Sequence, residues 1–316
     1  METIVITGGT GLVGKELSKL LVQSGYRVIL LSRSGSRITP AQLEVSKPGV
    51  LTSFWDPAKK EIDTIAIGQA DHIINFAGAG VAEKRWTSSR KNEIVDSRVE
   101  SGRLIVKALQ EVRHNVKTVI NASAIGWYGS DNSINPKPFT ENAPADTGFL
   151  GVTCAKWESS VAPIHEMGIR LVRIRIGIVL SKEGGALAEF KKPLRFGIAA
   201  ILGNGKQIIS WIHVEDLCRI FLLVIENTSA TGIYNAVAPC PVSNRALTIQ
   251  MARQRNGSLF IPVKVPAFVL KIIMGEMSVE VLKSTTVSSD RIQTAGFIFN
   301  YTSIENALSD LLSRKW

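Results

Sequence analysis

A short apolar run, Thr3-Ile4-Val5-Ile6-Thr7, gives way to four glycines within Gly8-Gly9-Thr10-Gly11-Leu12-Val13-Gly14, and then to Leu17, Leu20 and Leu21 at helical spacing. A strand that must turn at once into a helix constrains this fold more than any other stretch. Gly8 can turn the chain at positive φ, Gly11 lets backbone approach a phosphate, and Gly14 lets the helix lie close to the strand. The first amides of such a helix have no carbonyl one turn behind them, so they face whatever anion occupies the turn. Gly25 stops the helix and Arg27-Val28-Ile29-Leu30-Leu31 forms the next strand, completing a βαβ unit. The spacing satisfies both Gly-x-Gly-x-x-Gly and Gly-x-x-Gly-x-x-Gly. It predicts a dinucleotide held by Gly8, Thr10, Gly11, Leu12, Val13 and Gly14.

Further strands are expected at Asp71 to Phe76, Thr118 to Ser123 and Ile169 to Ile174, and helices near Asn92 to Val112, Thr153 to Gly168 and His213 to Glu226. This alternation specifies an α/β fold, a Rossmann-type doubly wound parallel sheet covered on both faces. After Gly177 the pattern changes, with Gly184-Gly185, Gly197, Gly203 and Gly205 punctuating a loop-rich region, and Pro262 and Pro266 flanking apolar residues later. The expected organisation is a nucleotide-binding domain over 1–240 and a small C-terminal α/β cap over 241–316, with 178–210 contributing to the substrate side.

The three cysteines and four histidines of this 316-residue chain are scattered, with no Cys-x-x-Cys pair and no metal-ligand spacing, so no metal is expected. The net charge of +10 is spread along the chain without a basic run or nucleic-acid motif, which points away from DNA or RNA and toward phosphorylated small molecules. Met1-Glu2-Thr3 leads directly into the first strand without a signal-peptide pattern, and no apolar run approaches the ~20 residues of a membrane span. A cytoplasmic protein with a small-molecule substrate and no membrane partner is the expectation.

The second strand ends in Ser32-Arg33, and the first acidic residue beyond it is Glu44. An acidic side chain near that strand end holds the ribose 2′-hydroxyl of NAD, whereas Arg there suits the 2′-phosphate of NADP. The expected cofactor is therefore NADP(H); Arg33 as a solvated loop residue is the alternative.

Two later segments extend the pattern, Asn75-Phe76-Ala77-Gly78 at a strand end and Trp211-Ile212-His213-Val214-Glu215-Asp216. With these, the chain resembles the extended short-chain dehydrogenase/reductase superfamily, in which nucleotide-sugar epimerases are found. Arg85-Trp86-Thr87, Tyr128-Gly129, Trp157-Glu158, Arg175-Ile176-Gly177, Gly184-Gly185-Ala186-Leu187, Ser210-Trp211-Ile212-His213 and Gly296-Phe297 make it most similar to the "epimerase family" group that carries a C-terminal domain of unknown function. The resemblance implies bound NADP(H), with Ser32, Arg33, Phe76, Ala77, Glu93 and Arg98 touching it. It also implies an epimerase/dehydratase-like oxidoreductase acting on a small polar or nucleotide-linked substrate.

Superfamily members commonly use Tyr-x-x-x-Lys, the Tyr as acid or base and the Lys lowering its pKa. Here the residues four beyond Tyr26, Tyr128, Tyr234 and Tyr301 are Leu30, Asn132, Ala238 and Glu305, and matching Glu158 to the family pattern puts Leu150 and Cys154 where the pair belongs. The usual Ser or Thr falls at Ala124, with Ser123 one residue earlier and, on a strand, facing the other way. Tyr128, Ser123 and Cys154 are the candidate catalytic replacements, each also readable as a packing residue. His213 and Asp216 read as structural, Asp216 as the cap of the next helix. Arg85 and Trp86, beyond the strand Asp71 to Phe76, are the candidate substrate-binding residues. The competing reading is a non-catalytic NADP(H)-binding sensor or scaffold.

Overall fold

The computed structural model describes residues 1–39, 42, 48–131 and 137–313; Glu44 lies outside them. Eight strands form the central sheet: β1 Thr3–Thr7, β2 Arg27–Ser32, β3 Gly49–Asp56, β4 Glu61–Ile62, β5 His72–Asn75, β6 Thr118–Ala124, β7 Arg170–Ile176 and β8 Gly232–Ala236. Their order is β8-β7-β6-β5-β1-β2-β3-β4, parallel throughout except for the antiparallel β3–β4 edge. All five residues of β1 are buried, as a central strand covered on both faces requires.

Alternation along β1 feeds two cores. Ile4 and Ile6 pack with Leu17 and Leu21 of α1 (Leu12–Gln23), while Val5 packs on the opposite face with Leu104, Ile105 and Leu109 of α2 (Ser88–Glu111). Ile220, Phe221 and Val224 of the helix Val214–Glu226 complete the first core. The region expected as one helix from Thr153 to Gly168 is instead α3, Phe149–Ser160, followed by a separate turn at Pro163–Glu166. Pro163 has no amide to continue the first helix, yet suits the start of the second.

His213, not Asp216, caps the helix Val214–Glu226: its Nδ1 accepts from the Glu215 amide at 3.1 Å. The Asp216 carboxylate accepts from the Asn300 and Tyr301 amides at 3.0 and 2.9 Å, fastening the C-terminal segment to the sheet domain.

The cap draws on distant stretches of chain. Strand Ile198–Leu202 pairs in parallel with Ile261–Val265, and Ile208–Ile209 runs antiparallel to Val242–Ser243. Leu187, Trp211, Leu247, Met251 and Leu308 share a third core. Further fastening comes from Asp131, which accepts from the Ser284 and Thr286 hydroxyls and the Thr286 amide at 2.7–2.8 Å, and from Ser210, which bonds both Thr285 and Val287.

Candidate functional site

The glycine turn sits at the carboxyl edge of β1, where ligands of open α/β sheets bind. Gly8 has φ +64°, and a Cβ there would stand 2.9 Å from the Phe76 carbonyl carbon. A Cβ on Gly14 would stand 2.5 Å from the Gly9 Cα, so the helix can approach the turn only without one. Gly11 is the N-cap of α1 and brings no side-chain cap, which leaves the first amides of that helix to a ligand. The turn therefore has the shape and the donors of a phosphate cradle, and a dinucleotide fits the residues present.

Phe76 and Ala77 border this turn. The Phe76 amide donates to Thr7 O, the Ala77 amide to Thr7 Oγ1, and the Phe76 ring packs on Phe221 with centroids 4.7 Å apart. Beneath them lies a buried chain that sequence reading did not single out. Thr7 and Ser101 hydroxyls each donate to Asn75 Oδ1 at 2.6 Å, and Asn75 Nδ2 donates to Asn121 Oδ1 at 2.7 Å. It ties β1, β5, β6 and α2 together below the site; only the Asn of Asn75-Phe76-Ala77-Gly78 signals it in the sequence.

Ser32 and Arg33 lie at the end of the neighbouring strand β2, Arg33 exposed and the Ser32 hydroxyl 3.0 Å from that of Ser34. Glu93, on α2, is held by Arg90 Nη1 at 2.7 Å; that bond lowers its pKa, and the charge of Arg33 contributes. Arg98 is deeply enclosed: it donates to the Ala79 and Ile94 carbonyls, lies over the Trp157 ring at 5.0 Å, and supports the turn at Gly78. Burial lowers its pKa.

The structure brings Ser123, at the end of β6, close to Tyr128 and Cys154, but ties each inward. Gly126 abuts both Leu150 and Cys154, so these two occupy one face of α3 against the β6 turn. Burial, with the nearby Glu158 carboxylate adding to it, pushes the Cys154 thiol up to about 11, far from a nucleophilic thiolate at neutral pH. Ser123 Oγ donates to Glu158 Oε1 at 2.7 Å. Tyr128 is wholly buried; its hydroxyl donates to Asn235 Oδ1 at 2.7 Å and accepts from Arg175 Nη1 at 3.0 Å, and burial raises its pKa. Arg175 also lies 3.6 Å above the Trp127 ring.

Arg85 and Trp86 diverge. Trp86 is buried, its Nε1 donating to Val81 O at 2.9 Å and its ring meeting Phe149 edge-on at 4.8 Å. Arg85 is exposed and lies against Gly275 of the cap, while neighbouring Lys91 pairs with Glu276. The stretch from Arg85 to Lys91, which enters α2, thus meets the cap at Gly275 and Glu276. A cavity of about 620 Å³ opens elsewhere, at the β8 edge beside Glu141, Tyr234 and Arg291, and includes no residue of the glycine turn.

A glycine turn opening the first helix of this parallel sheet defines a dinucleotide-binding α/β protein of the Rossmann type. Residues 4–154 match the NAD dependent epimerase/dehydratase family, and residues 265–311 match a domain of unknown function, DUF1731. An epimerase family protein of Mycobacterium leprae is 33% identical over 98% of this chain and 96% of its own length. The chain belongs to this epimerase family. The human epimerase family protein SDR39U1, crystallised with NADPH, superposes with a TM-score of 0.83 at 25% identity, covering 98% of this chain and 99% of that one. A UDP-glucuronic acid 4-epimerase from Bacillus cereus, in complex with UDP-glucuronic acid and NAD, reaches a TM-score of 0.77 at 18% identity over 98% of both chains, a likeness of fold alone.

Proposed function

We propose that this protein binds NADP(H) and acts as an epimerase/dehydratase-like oxidoreductase on a small polar or nucleotide-linked substrate, without a Tyr-Lys pair. The observation that carries the reading is the cradle at Gly8–Gly14, closed below by Phe76 and Ala77 and offering uncapped helix amides above. Gly8, Thr10, Gly11, Leu12, Val13 and Gly14 would hold the pyrophosphate, and Ser32 with Arg33 the 2′-phosphate. NADP(H) bound there supplies hydride transfer. NADPH in the human relative supports the same dinucleotide.

For the protein's own groups, the assignment follows their partners. Arg175, Glu158 and Tyr128 hold the β6 turn rigid, and Ser123, bonded to Glu158, is the hydroxyl best placed to remain near the β6 edge. Arg85, exposed and lying against the cap, is the candidate cation for an anionic substrate group, while buried Trp86 shapes the loop behind it. Protons for the reaction then come from substrate or solvent.

Titration with NADPH and NADH, followed by incubation with carbonyl compounds and nucleotide sugars, tests this. Tighter NADPH binding together with cofactor oxidation or an epimerised product is expected; failure to bind either dinucleotide overturns the proposal. Leu150 and Cys154 at the usual Tyr and Lys positions favour a second reading, a non-catalytic NADP(H) sensor or scaffold, which any turnover eliminates.

A further inference from the structure

The outer side of the cap carries an apolar surface that nothing among the described residues covers. Phe196 and Leu259 are each 82% exposed, just before the paired strands Ile198–Leu202 and Ile261–Val265. Ile261 follows at 68%, and on the helix Ala267–Met274 the residues Phe268 and Ile272, one turn apart, expose 66% and 68%. Ile273 and Val279 continue the exposure. Single exposed aliphatic residues are ordinary on soluble domains, but a run of aromatic and branched side chains along one segment marks an interaction surface.

Its charge is of one sign. Arg195 precedes Phe196, Lys264 lies within the outer strand, and Lys271 stands between Phe268 and Ile272, all exposed. The nearby acids are already engaged, Glu189 with Lys192, Glu276 with Lys91 and Glu280 with Lys283. Among the described residues, Arg195, Lys264 and Lys271 make no ion pair with a carboxylate.

A second copy fits this face poorly. The Ile261 amide donates inward to Gly197 O, and Gly203 donates to Val265 O, so it is the backbone of Pro262 and Lys264 that faces the free edge. Proline has no amide to offer a partner strand, and a lysine beside it repels its own copy. Apolar side chains among unpaired cations are instead the composition that binds an anionic bilayer surface.

We infer that this face of the cap docks on anionic lipid, with Phe196, Leu259, Phe268 and Ile272 entering the headgroup boundary and Arg195, Lys264 and Lys271 meeting the phosphates. The contact is peripheral, since among the described residues no helix is long and apolar enough to cross a membrane. It departs from the expectation that this chain has no membrane partner. The docking helix ends at Gly275 and Glu276, against Arg85 and Lys91, so docking brings that part of the chain near the lipid surface.

Co-sedimentation of the full chain with vesicles of phosphatidylcholine, alone or with one third phosphatidylglycerol, tests the inference. The protein should pellet with the anionic vesicles and be released as salt rises. Phe268→Ser with Ile272→Ser, or Lys264→Glu with Lys271→Glu, should each weaken vesicle binding roughly tenfold, with an unchanged melting temperature because all four side chains are exposed. The inference is overturned if wild-type protein stays in the supernatant, or if binding survives both double substitutions. It is equally overturned if sedimentation velocity shows a dimer that the serine pair splits while vesicles capture nothing, because the face then belongs to a second copy.

Discussion

Arg175 and Glu158 form a bidentate ion pair, Nε to Oε1 at 2.8 Å and Nη2 to Oε2 at 3.1 Å, between strand β7 and helix α3, with both side chains buried. Removing one partner leaves the other charge uncompensated, at a cost of about 3–5 kcal/mol. Arg175→Met should therefore lower the denaturant midpoint strongly at unchanged m, while Arg175→Met combined with Glu158→Leu should recover part of the loss. Additive losses in the double variant would count against a coupled pair.

Gly14→Ala places a methyl 2.5 Å from the Gly9 Cα, in backbone that cannot step aside. An overpacked contact of this kind costs about 1–3 kcal/mol. Thermal melting should register that loss. NADPH affinity should fall further than stability alone explains, because the same shift moves the turn amides.

Arg33 is exposed at the end of β2, and among the described residues no hydrogen bond holds its side chain. Losing a charged hydrogen bond to phosphate costs about 1.5–3 kcal/mol, roughly a ten- to hundredfold change in affinity. Arg33→Ala should weaken NADPH by that factor in a fluorescence titration and leave NADH nearly unchanged. A preserved preference for NADPH assigns the 2′-phosphate to another group.

Cys154 is buried with its thiol pushed up to about 11, whereas Cys240 is exposed. Iodoacetamide at pH 8 should label Cys240 first and spare Cys154 until denaturant is added, as peptide mass spectrometry can read. Rapid native labelling of Cys154 would contradict its burial.

His213 has its pKa lowered by burial against the opposing pull of Asp310. It is neutral at pH 7, so with Nδ1 accepting from Glu215, Nε2 donates to Asp310 Oδ2 at 3.3 Å. A depressed folded-state pKa gives stability that is present above about 6.5 and lost as pH falls. Melting temperatures should drop as pH falls below about 6.5, and drop less in His213→Asn, which keeps a helix cap without titrating.

What the sequence disclosed follows from how local the cause is. The turn at Gly8–Gly14 was legible because its glycines answer to contacts within a few residues or with the adjoining strand. The empty Tyr-Lys positions were equally plain, since Leu150 and Cys154 can be read from spacing. Strand β3 was missed because at the sheet edge its Gly49–Leu51 start is only partly buried and shows no continuous apolar run. Arg175 was harder still. In Arg170-Leu171-Val172-Arg173-Ile174-Arg175 it looks like one more outward arginine of an alternating strand, and only α3, folded over it with Glu158, makes it interior. The pairing of Ile198–Leu202 with Ile261–Val265 has no local signature at all.

The bonds from Asp131, Ser210 and Asp216 into the C-terminal segment carry one more consequence. Two family patterns can be recognised along this chain, yet neither stretch owns a complete interior: each leans on polar atoms that the rest of the chain lends it. Residues 265–311 cut away and expressed alone would lack the partners for their own backbone, and the remaining piece would be left with carboxylates and hydroxyls aimed at nothing. The junction is thus a shared organ rather than a hinge, and the chain should melt in one cooperative step.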